Sequence, residues 1–213
     1  MKVDRNSMQL YLVTDRSWLG GKTLLSQVEA CLDAGVTFLQ LREKDLDERS
    51  FLEEAREIGR AAKSRHIPFV VNDNLEVALQ SDADGVHVGQ HDMAAKDVRA
   101  LIGPDKILGV SAQTVEQAVA AERAGADYLG VGAVFHTSTK LDAADVDHST
   151  LRAICDAVSI PVVAIGGIGP GNILQLAGSG IDGVAVISSI LAQPDVAQAA
   201  ADMKRLCLEM LAK

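Results

Sequence analysis

Short apolar runs recur along the chain, and a segment with a helical hydrophobic period follows most of them. The spacing predicts eight strands, at residues 10–13, 38–41, 69–71, 86–88, 107–110, 128–135, 162–165 and 184–187. It also predicts helices, including those at 23–34, 48–65, 94–102, 114–124 and 195–211. Because strands and helices alternate, the pattern favours a parallel sheet covered by helices.

A local repeat marks the entry into four of these strands. At 33–39, 81–88, 124–131 and 179–186, small residues and a glycine lead into an apolar run. A tight turn from helix to strand requires such a glycine. The count of eight units, and the lack of a glycine-rich dinucleotide loop after the first strand, favour a closed barrel over an open doubly wound sheet. We therefore predict an α/β fold, a single (β/α)8 TIM barrel over residues 1–213.

The balance of charges limits the classes of partner. The chain carries 29 acidic and 20 basic residues, a formal net charge of −9. Nucleic-acid binding normally leaves a basic footprint, so we expect no nucleic-acid partner. No apolar stretch approaches the ~20 residues of a membrane helix, and residues 1–5 lack the apolar segment of a secretory signal. We therefore expect no membrane partner and a cytoplasmic location, and local clusters of cations become candidate ligand sites.

In (β/α)8 barrels, function lies at the carboxyl ends of the strands. The second strand runs into Gln40, Arg42 and Lys44, which alternate and can share one face. An inward face with an amide and two cations is costly unless an anion pairs with them. The alternative is a solvated strand end, because long cations also reach water by themselves. The pattern predicts an anion site here.

Carboxylates follow the next two strands. Asn72, Asp73 and Asn74 come after the third strand, and Asp92 comes after the fourth. Asn and Asp also cap helices, so one of the first three, and Asp92 by itself, have capping as an alternative role. Two carboxylates on neighbouring strands, with phosphate oxygens and waters, form the sparse oxygen shell that Mg²⁺ prefers. We predict a Mg²⁺ site formed by Asp73 and Asp92.

The remaining strand ends predict a second anion site. Ser111 follows the fifth strand, either as a ligand contact or as a turn residue. A long polar loop follows the sixth strand, which we interpret as a lid with an anion-binding cation; it begins with Thr137, Ser138, Thr139 and Lys140. Gly166 and Gly167 follow the seventh strand and Ser188 the eighth, where barrels commonly bind phosphate through backbone N–H groups. A simple turn is the alternative for the glycines.

The sequence shows no sign of a protein nucleophile. No Ser-His-Asp order and no activated thiol is apparent. The histidines have no metal-ligand spacing, and we assign a catalytic role to none of them; they are His66, His87, His91, His136 and His148.

Taken in order, these strand-end motifs resemble those of the thiamine phosphate synthase family over nearly the full chain. The matching stretches are 40–44 (QLREK), 71–73 (VND), 85–92 (GVHVGQHD), 109–111 (GVS), 137–140 (TSTK) and 164–168 (AIGGI). The resemblance implies a (β/α)8 transferase with small-molecule substrates. It would join 4-amino-5-hydroxymethyl-2-methylpyrimidine diphosphate to a thiazole phosphate, plain or carboxylated, and release pyrophosphate.

The resemblance also implies roles for individual residues. Asp73 and Asp92 would be the Mg²⁺ ligands. Contacts to the pyrimidine diphosphate would come from Gln40, Arg42, Lys44, Asn72, Ser111 and Lys140. Contacts to the thiazole phosphate would come from Thr137, Ser138, Thr139, Gly167, Ile187 and Ser188. The catalytic residues would be Arg42, Lys44, Ser111 and Lys140. The implied mechanism is dissociative, with a pyrimidine-stabilised carbocation, and the family also suggests a homodimer.

Two alternatives differ in function. A thiazole tautomerase of similar fold would not need the pair of metal ligands, so Asp73 and Asp92 together disfavour it. A non-catalytic barrel that binds phosphorylated metabolites is compatible with the fold, because fold does not determine function. A full set of polar residues for two substrates argues against it.

Overall fold

Eight parallel strands close into a barrel in the computed structural model of this protein, which describes residues 3–90, 92–136 and 146–213. Each strand pairs with the next in sequence, and the last pairs with the first. The predicted (β/α)8 fold is therefore confirmed. The strands are β1 (Leu10–Val13), β2 (Phe38–Leu41), β3 (Phe69–Asn72), β4 (Gly85–Val88), β5 (Ile107–Ala112), β6 (Tyr128–Val131), β7 (Val162–Ile165) and β8 (Gly183–Val186).

Helices cover the outside of the barrel. They are α1 (Leu24–Asp33), α2 (Glu48–Lys63), α3 (Leu75–Gln80), α4 (Ala95–Ile102), α5 (Val115–Arg123), α6 (His148–Ala157), α7 (Ser188–Leu191) and α8 (Val196–Leu211). The five predicted helices all form, and each end lies at the predicted residue or one or two residues inside it. The connection after β7 differs from the others, because it contains a short 3-10 helix, Ile173–Leu176, and no α-helix in its described part.

Side-chain caps explain where many of these helices begin. The cap residue accepts a hydrogen bond from the backbone N–H three residues further on, which satisfies a donor that has no partner inside the helix. At the start of α5, Thr114 Oγ1 accepts this bond from the nitrogen of Gln117 at 3.2 Å. The same arrangement is found at Thr23, Asp47, Asn74, Asp147 and Asp195.

The strands bury both faces, so the barrel has two separate cores. The outward face of each strand packs against the helices in one large cluster, which includes Leu10 and Leu12 of β1. The inward face forms a smaller cluster of Met8, Tyr11, Val13, Phe38, Val70, Ile107, Tyr128, Val163 and Ala185. Alternation along each strand then places Gln40, Asn72 and Ser111 on the inward face, beyond the last apolar side chain. The carboxyl end of the barrel is therefore lined by polar groups.

The sixth strand is shorter than predicted, because β6 ends at Val131 and the apolar run continues to Phe135. At Gly132 the backbone lies so close to β7 that an added Cβ would overlap the carbonyl oxygen of Ile165. The next residues bond to the end of β7, with the nitrogen of Val134 3.0 Å from the oxygen of Ile165. The apolar residues after β6 thus belong to the loop at the mouth of the barrel.

Membrane-spanning helices are absent from the part of the chain that the structure describes, since none of its helices is both long and apolar enough to cross a bilayer.

The close approach of β4 and β5 depends on glycine. A Cβ at Gly85 would overlap the backbone oxygen of Ile107, so we expect Gly85→Ala to lower the free energy of unfolding by about 3 kcal/mol. Gly171 is exposed and has open space around its Cα, so Gly171→Ala is the matched control, with a change below about 1 kcal/mol. Urea unfolding followed by circular dichroism measures both. Equal midpoints for the two variants would contradict the close contact.

Candidate active site

One cavity of about 270 Å³ lies at the carboxyl ends of the strands. It brings together every predicted site residue that the structure describes: Gln40, Arg42, Lys44, Asn72, Asp73, Asp92, Ser111, Gly167, Ile187 and Ser188. The remaining predicted residues lie outside the described part of the chain; they are Thr137, Ser138, Thr139 and Lys140. Residues far apart in sequence thus share one site, as the strand-end argument predicted.

Arg42 is anchored to the neighbouring strand end. Thr14 is fully buried, and its Oγ1 accepts the backbone N–H of Arg42 at 2.9 Å. The guanidinium Nη1 lies 3.5 Å from Asp15 Oδ2, and both side chains are less than one-fifth exposed. Lys44 lines the same cavity. Two cations of the described residues therefore line the cavity, and Thr14 and Asp15 hold one of them, Arg42, in place.

The loop after β3 separates a helix cap from the cavity residues. Asn74 Oδ1 accepts the N–H of Val77 at 2.9 Å and so caps α3. The capping alternative therefore applies to Asn74, while Asn72 and Asp73 line the cavity. Asp73 has a φ of +59°, a left-handed conformation that is uncommon for a residue other than glycine. Its backbone N–H bonds to the oxygen of His87 at 2.8 Å, so the strained residue is held in place by β4.

Asp92 does not cap the helix that follows it. The cap position of α4 is Ala94, which makes no side-chain hydrogen bond. Asp92 Oδ2 instead accepts the backbone N–H of Gly89 at 2.7 Å, which orients the carboxylate within its own loop. Asp92 and Asp73 therefore line one cavity from the ends of neighbouring strands.

The donor set formed by these two carboxylates fits a Mg²⁺ ion. In the described ranges, no group of three or more His, Cys, Asp and Glu side chains is arranged around a common metal position. The described residues therefore form no closed site of the kind that binds structural zinc. Mg²⁺ needs few protein ligands, because it keeps several waters and takes further oxygens from phosphate groups.

A buried chain of hydrogen bonds lies beneath the cavity, and sequence reasoning missed most of it. Gln40 Nε2 donates to Tyr11 Oη at 2.5 Å, and Tyr11 Oη lies 2.7 Å from Tyr128 Oη. His87 Nδ1 lies 2.9 Å from Tyr128 Oη, and its Nε2 lies 3.0 Å from Ser111 Oγ. His87 was given no role above. The available signal was its position, since it is a polar residue on the inward face of a buried strand.

Glycines make room for this chain. An added Cβ at Gly109 would overlap the hydroxyl of Tyr128 and lie 2.5 Å from His87 Nδ1. One at Gly130 would lie 3.2 Å from His87 Cε1. The imidazole ring therefore occupies space that two glycines leave open on β5 and β6.

Burial keeps the two phenols neutral. Removal from water raises the pKa of Tyr11, and also that of Tyr128, well above the ordinary value. Each hydroxyl therefore retains its hydrogen at physiological pH and has one hydrogen bond to donate.

The opposite rim of the cavity is built from backbone. Gly166 and Gly167 have φ values of +100° and +64°, and a Cβ at Gly167 would lie 2.5 Å from the oxygen of His136. Asn172 braces this loop, because its side chain bonds to the nitrogen of Gly169 and to the oxygen of Gly167. Ser188 begins α7 beside them. The geometry leaves a glycine and serine surface that a phosphate can approach closely.

The chain resembles known proteins over most of its length. A family model described as thiamine monophosphate synthase matches residues 10–190. The thiamine-phosphate synthase of Clostridium tetani is 48% identical over 194 residues, covering 91% of this chain and 93% of the relative. That of Ruminiclostridium cellulolyticum is 49% identical over 191 residues, covering 90% and 91%. A solved structure, thiamine phosphate pyrophosphorylase from Pyrococcus furiosus, is 38% identical with a TM-score of 0.90, covering 97% of this chain and 98% of that one.

A buried carboxylate lies between the two cations in sequence. Glu43 contacts Arg16, with Oε2 2.7 Å from Nε, and Arg16 also pairs with Glu54. Burial raises the pKa of Glu43 to about 7, and the neighbouring Glu54 adds to the effect, while Arg16 opposes it. One carboxylate oxygen of each glutamate is buried without a hydrogen-bond partner. The folded state therefore favours a proton on Glu43.

This raised pKa predicts a pH-dependent stability. Between about pH 4.5 and about pH 7 the folded state keeps a proton that the unfolded state releases, so this contribution to stability falls as pH rises. Glu43→Gln removes the titration. Because Arg16 is 34% exposed and water screens the cluster, we expect the variant to gain about 1 to 2 kcal/mol on wild type between about pH 5 and about pH 8.

Urea unfolding at the two pH values measures this gain. Glu57→Gln, on the exposed face of α2, is the charge-matched control and is expected to follow wild type. A constant difference between Glu43→Gln and wild type at both pH values would contradict the raised pKa.

Proposed function

The chain belongs to the thiamine monophosphate synthase family, and from this membership we propose that it joins 4-amino-5-hydroxymethyl-2-methylpyrimidine diphosphate to a thiazole phosphate and releases pyrophosphate. It is thus an enzyme, a transferase that forms thiamine phosphate. One observation carries the assignment of the site: a single cavity holds two cations and two carboxylates at the ends of β2 to β4, and a glycine and serine surface at the ends of β7 and β8. Strand order places these two regions on opposite sides of the barrel.

The diphosphate is proposed to bind on the side of β2. Arg42, whose side chain is 18% exposed, and Lys44 provide positive charge at the end of β2. Lys140 is proposed as a third counter-charge. Gln40, Asn72 and Ser111 are proposed to hold the pyrimidine ring by hydrogen bonds.

Asp73 and Asp92 are proposed to hold Mg²⁺ against the diphosphate. Two carboxylates leave most of the octahedral shell to waters and phosphate oxygens, as this ion prefers. When bound, Mg²⁺ supplies positive charge that offsets the charge of pyrophosphate.

The reaction that we propose breaks the bond between the pyrimidine methylene carbon and the diphosphate oxygen. Pyrophosphate leaves with the electron pair, and the thiazole nitrogen then attacks the methylene carbon. The cations stabilise the negative charge of the leaving group, and the cavity holds both reactants in line. These tasks need charge and positioning, which agrees with a sequence that offers no activated nucleophile.

The thiazole phosphate is proposed to bind on the opposite rim. Gly167, Ile187 and Ser188 line the cavity there, and the glycine leaves backbone close to a ligand. Thr137, Ser138 and Thr139 are proposed to complete this second site.

Removal of one metal ligand tests the proposed Mg²⁺ site. We expect Asp92→Asn to lower the rate of pyrophosphate release by about 100-fold or more, because the leaving group loses charge stabilisation. Asp97→Asn, on exposed α4, is the matched control and is expected to keep the wild-type rate. Release is measured with both substrates over a range of Mg²⁺ concentrations. Undiminished wild-type turnover in excess chelator would contradict the metal assignment.

The second site is tested with Ser188→Ala. Loss of a hydrogen bond to a charged phosphate is expected to raise the KM for the thiazole phosphate by about 10-fold or more. The KM for the pyrimidine diphosphate serves as the internal control and is expected to change by less than about 2-fold. Equal increases in both constants would argue against two separate anion sites.

A further inference from the structure

The buried hydrogen-bond chain connects two residues that line the cavity. It begins at Gln40 on β2, passes through Tyr11, Tyr128 and His87, and ends at Ser111 on β5. Gln40 and Ser111 line the cavity, as do Tyr11 and His87, while both phenols are almost fully buried. Because every link is a hydrogen bond, a change in donor at one end affects which atom donates at the other.

Counting the hydrogens available for donation determines which atom donates at each link of the chain. Gln40 donates through Nε2 to the oxygen of Tyr11, so the single hydrogen of Tyr11 is left for Tyr128. Tyr128 then has its own hydrogen left for His87 Nδ1, which must be the unprotonated nitrogen. The neutral ring carries its proton on Nε2 and donates to Ser111 Oγ. The hydroxyl hydrogen of Ser111 is left to point into the cavity.

A doubly protonated His87 does not fit this count. It would donate to Tyr128, whose hydrogen would then have to go to Tyr11. Tyr11 already accepts from Gln40, and its own hydrogen would have no acceptor within the chain. The high pKa of both phenols, which follows from burial, rules out loss of that hydrogen at ordinary pH.

The surroundings hold the imidazole ring in this orientation. His87 is 8% exposed, and its ring centroid lies 5.5 Å from that of Tyr128. The ring occupies the space that Gly109 and Gly130 leave open, since an added Cβ at either position would meet the imidazole. Phe38 packs against both tyrosines, with ring centroids 4.6 Å from Tyr11 and 5.4 Å from Tyr128. This packing holds the two hydroxyls within hydrogen-bond distance of each other.

We infer that His87 is a positioning residue that fixes Ser111 as a hydrogen-bond donor into the cavity, while Gln40 at the other end presents its carbonyl as an acceptor. The cavity thereby selects a ring with an acceptor atom facing Ser111 and a donor group facing Gln40. This rests on the proposed function, because an aminopyrimidine carries both a ring-nitrogen acceptor and an exocyclic amino donor. Reversal of the chain would exchange the two roles together.

The protonated nitrogen of His87 gives a test without substrate. Long-range proton–nitrogen NMR spectra of the whole protein distinguish the two imidazole tautomers, and the signals missing from His87→Gln identify this ring. We expect the proton on Nε2 in wild type. Gln40→Glu cannot donate to Tyr11 when ionised, so it is expected to reverse the chain and move the proton to Nδ1. A proton on Nδ1 in wild type, or a tautomer that Gln40→Glu leaves unchanged, would overturn the inference.

Kinetics test whether His87 acts through Ser111. We expect His87→Gln to raise the KM for the pyrimidine diphosphate about 10-fold, with a smaller change in kcat, and to leave the KM for the thiazole phosphate within about 2-fold. In a Ser111→Ala background the same change is expected to have less than about a 2-fold effect. Independent, multiplying effects of the two changes would indicate a merely structural histidine and overturn the inference.

Tyr128→Phe guards against a variant that fails to fold, because it removes one oxygen and keeps the aromatic packing. It is expected to weaken pyrimidine diphosphate binding in wild type and to have no further effect in Ser111→Ala. His148→Gln, exposed at the start of α6, is the matched control. If wild type releases no pyrophosphate, the proposed function fails, while the NMR result still decides the direction of the chain.

Discussion

Parallel pairing of β1 with β8 closes the sheet, and this closure decides which side chains face one another across the interior. A barrel of eight strands has room for only a few side chains in each interior layer. Large rings from β1, β2 and β6 fill the middle, and Gly109 on β5 leaves the space that the Tyr128 ring occupies. The polar residues that follow these apolar residues along the strands therefore lie at the carboxyl end of the barrel, at fixed positions relative to one another. The packing of the barrel interior thus determines the positions of the polar residues that line the cavity.

Charge in this site is set by local structure and opposes the net charge of the chain. The protein is acidic overall, yet two cations line the cavity, one braced by Asp15 and by the backbone bond to Thr14. Such anchoring holds the guanidinium before a ligand arrives, which reduces the entropy lost on binding. Asp73, in its left-handed conformation, is held in a similar way from β4. Preorganised charge is the property that the proposed chemistry needs.

The architecture could be predicted from the sequence because apolar runs, helical segments and turn residues follow one another in the same order along the chain. Strands β1, β2 and β7 have the predicted bounds, and all described site residues share one cavity. The end of β6 could not be predicted, since the residues after Val131 stay apolar while they bond to the end of β7. Which of Asn72, Asp73 and Asn74 caps α3 also depended on geometry, because all three types can cap a helix.

His87, Tyr11 and Tyr128 were missed for a different reason. Their strands are not neighbours in the sheet, and they meet only across the barrel interior, where register and ring orientation decide contact. A local pattern can assign a residue to the inward face. It does not reveal which distant residue lies opposite, nor that Gly109 leaves the space for their hydrogen bond.

The filled interior also determines how a ligand reaches the cavity. Because Met8, Tyr11, Phe38 and their neighbours block the barrel from within, the cavity above them is reached from the carboxyl end of the strands. Any molecule that binds in the cavity must therefore enter and leave by the same end of the barrel.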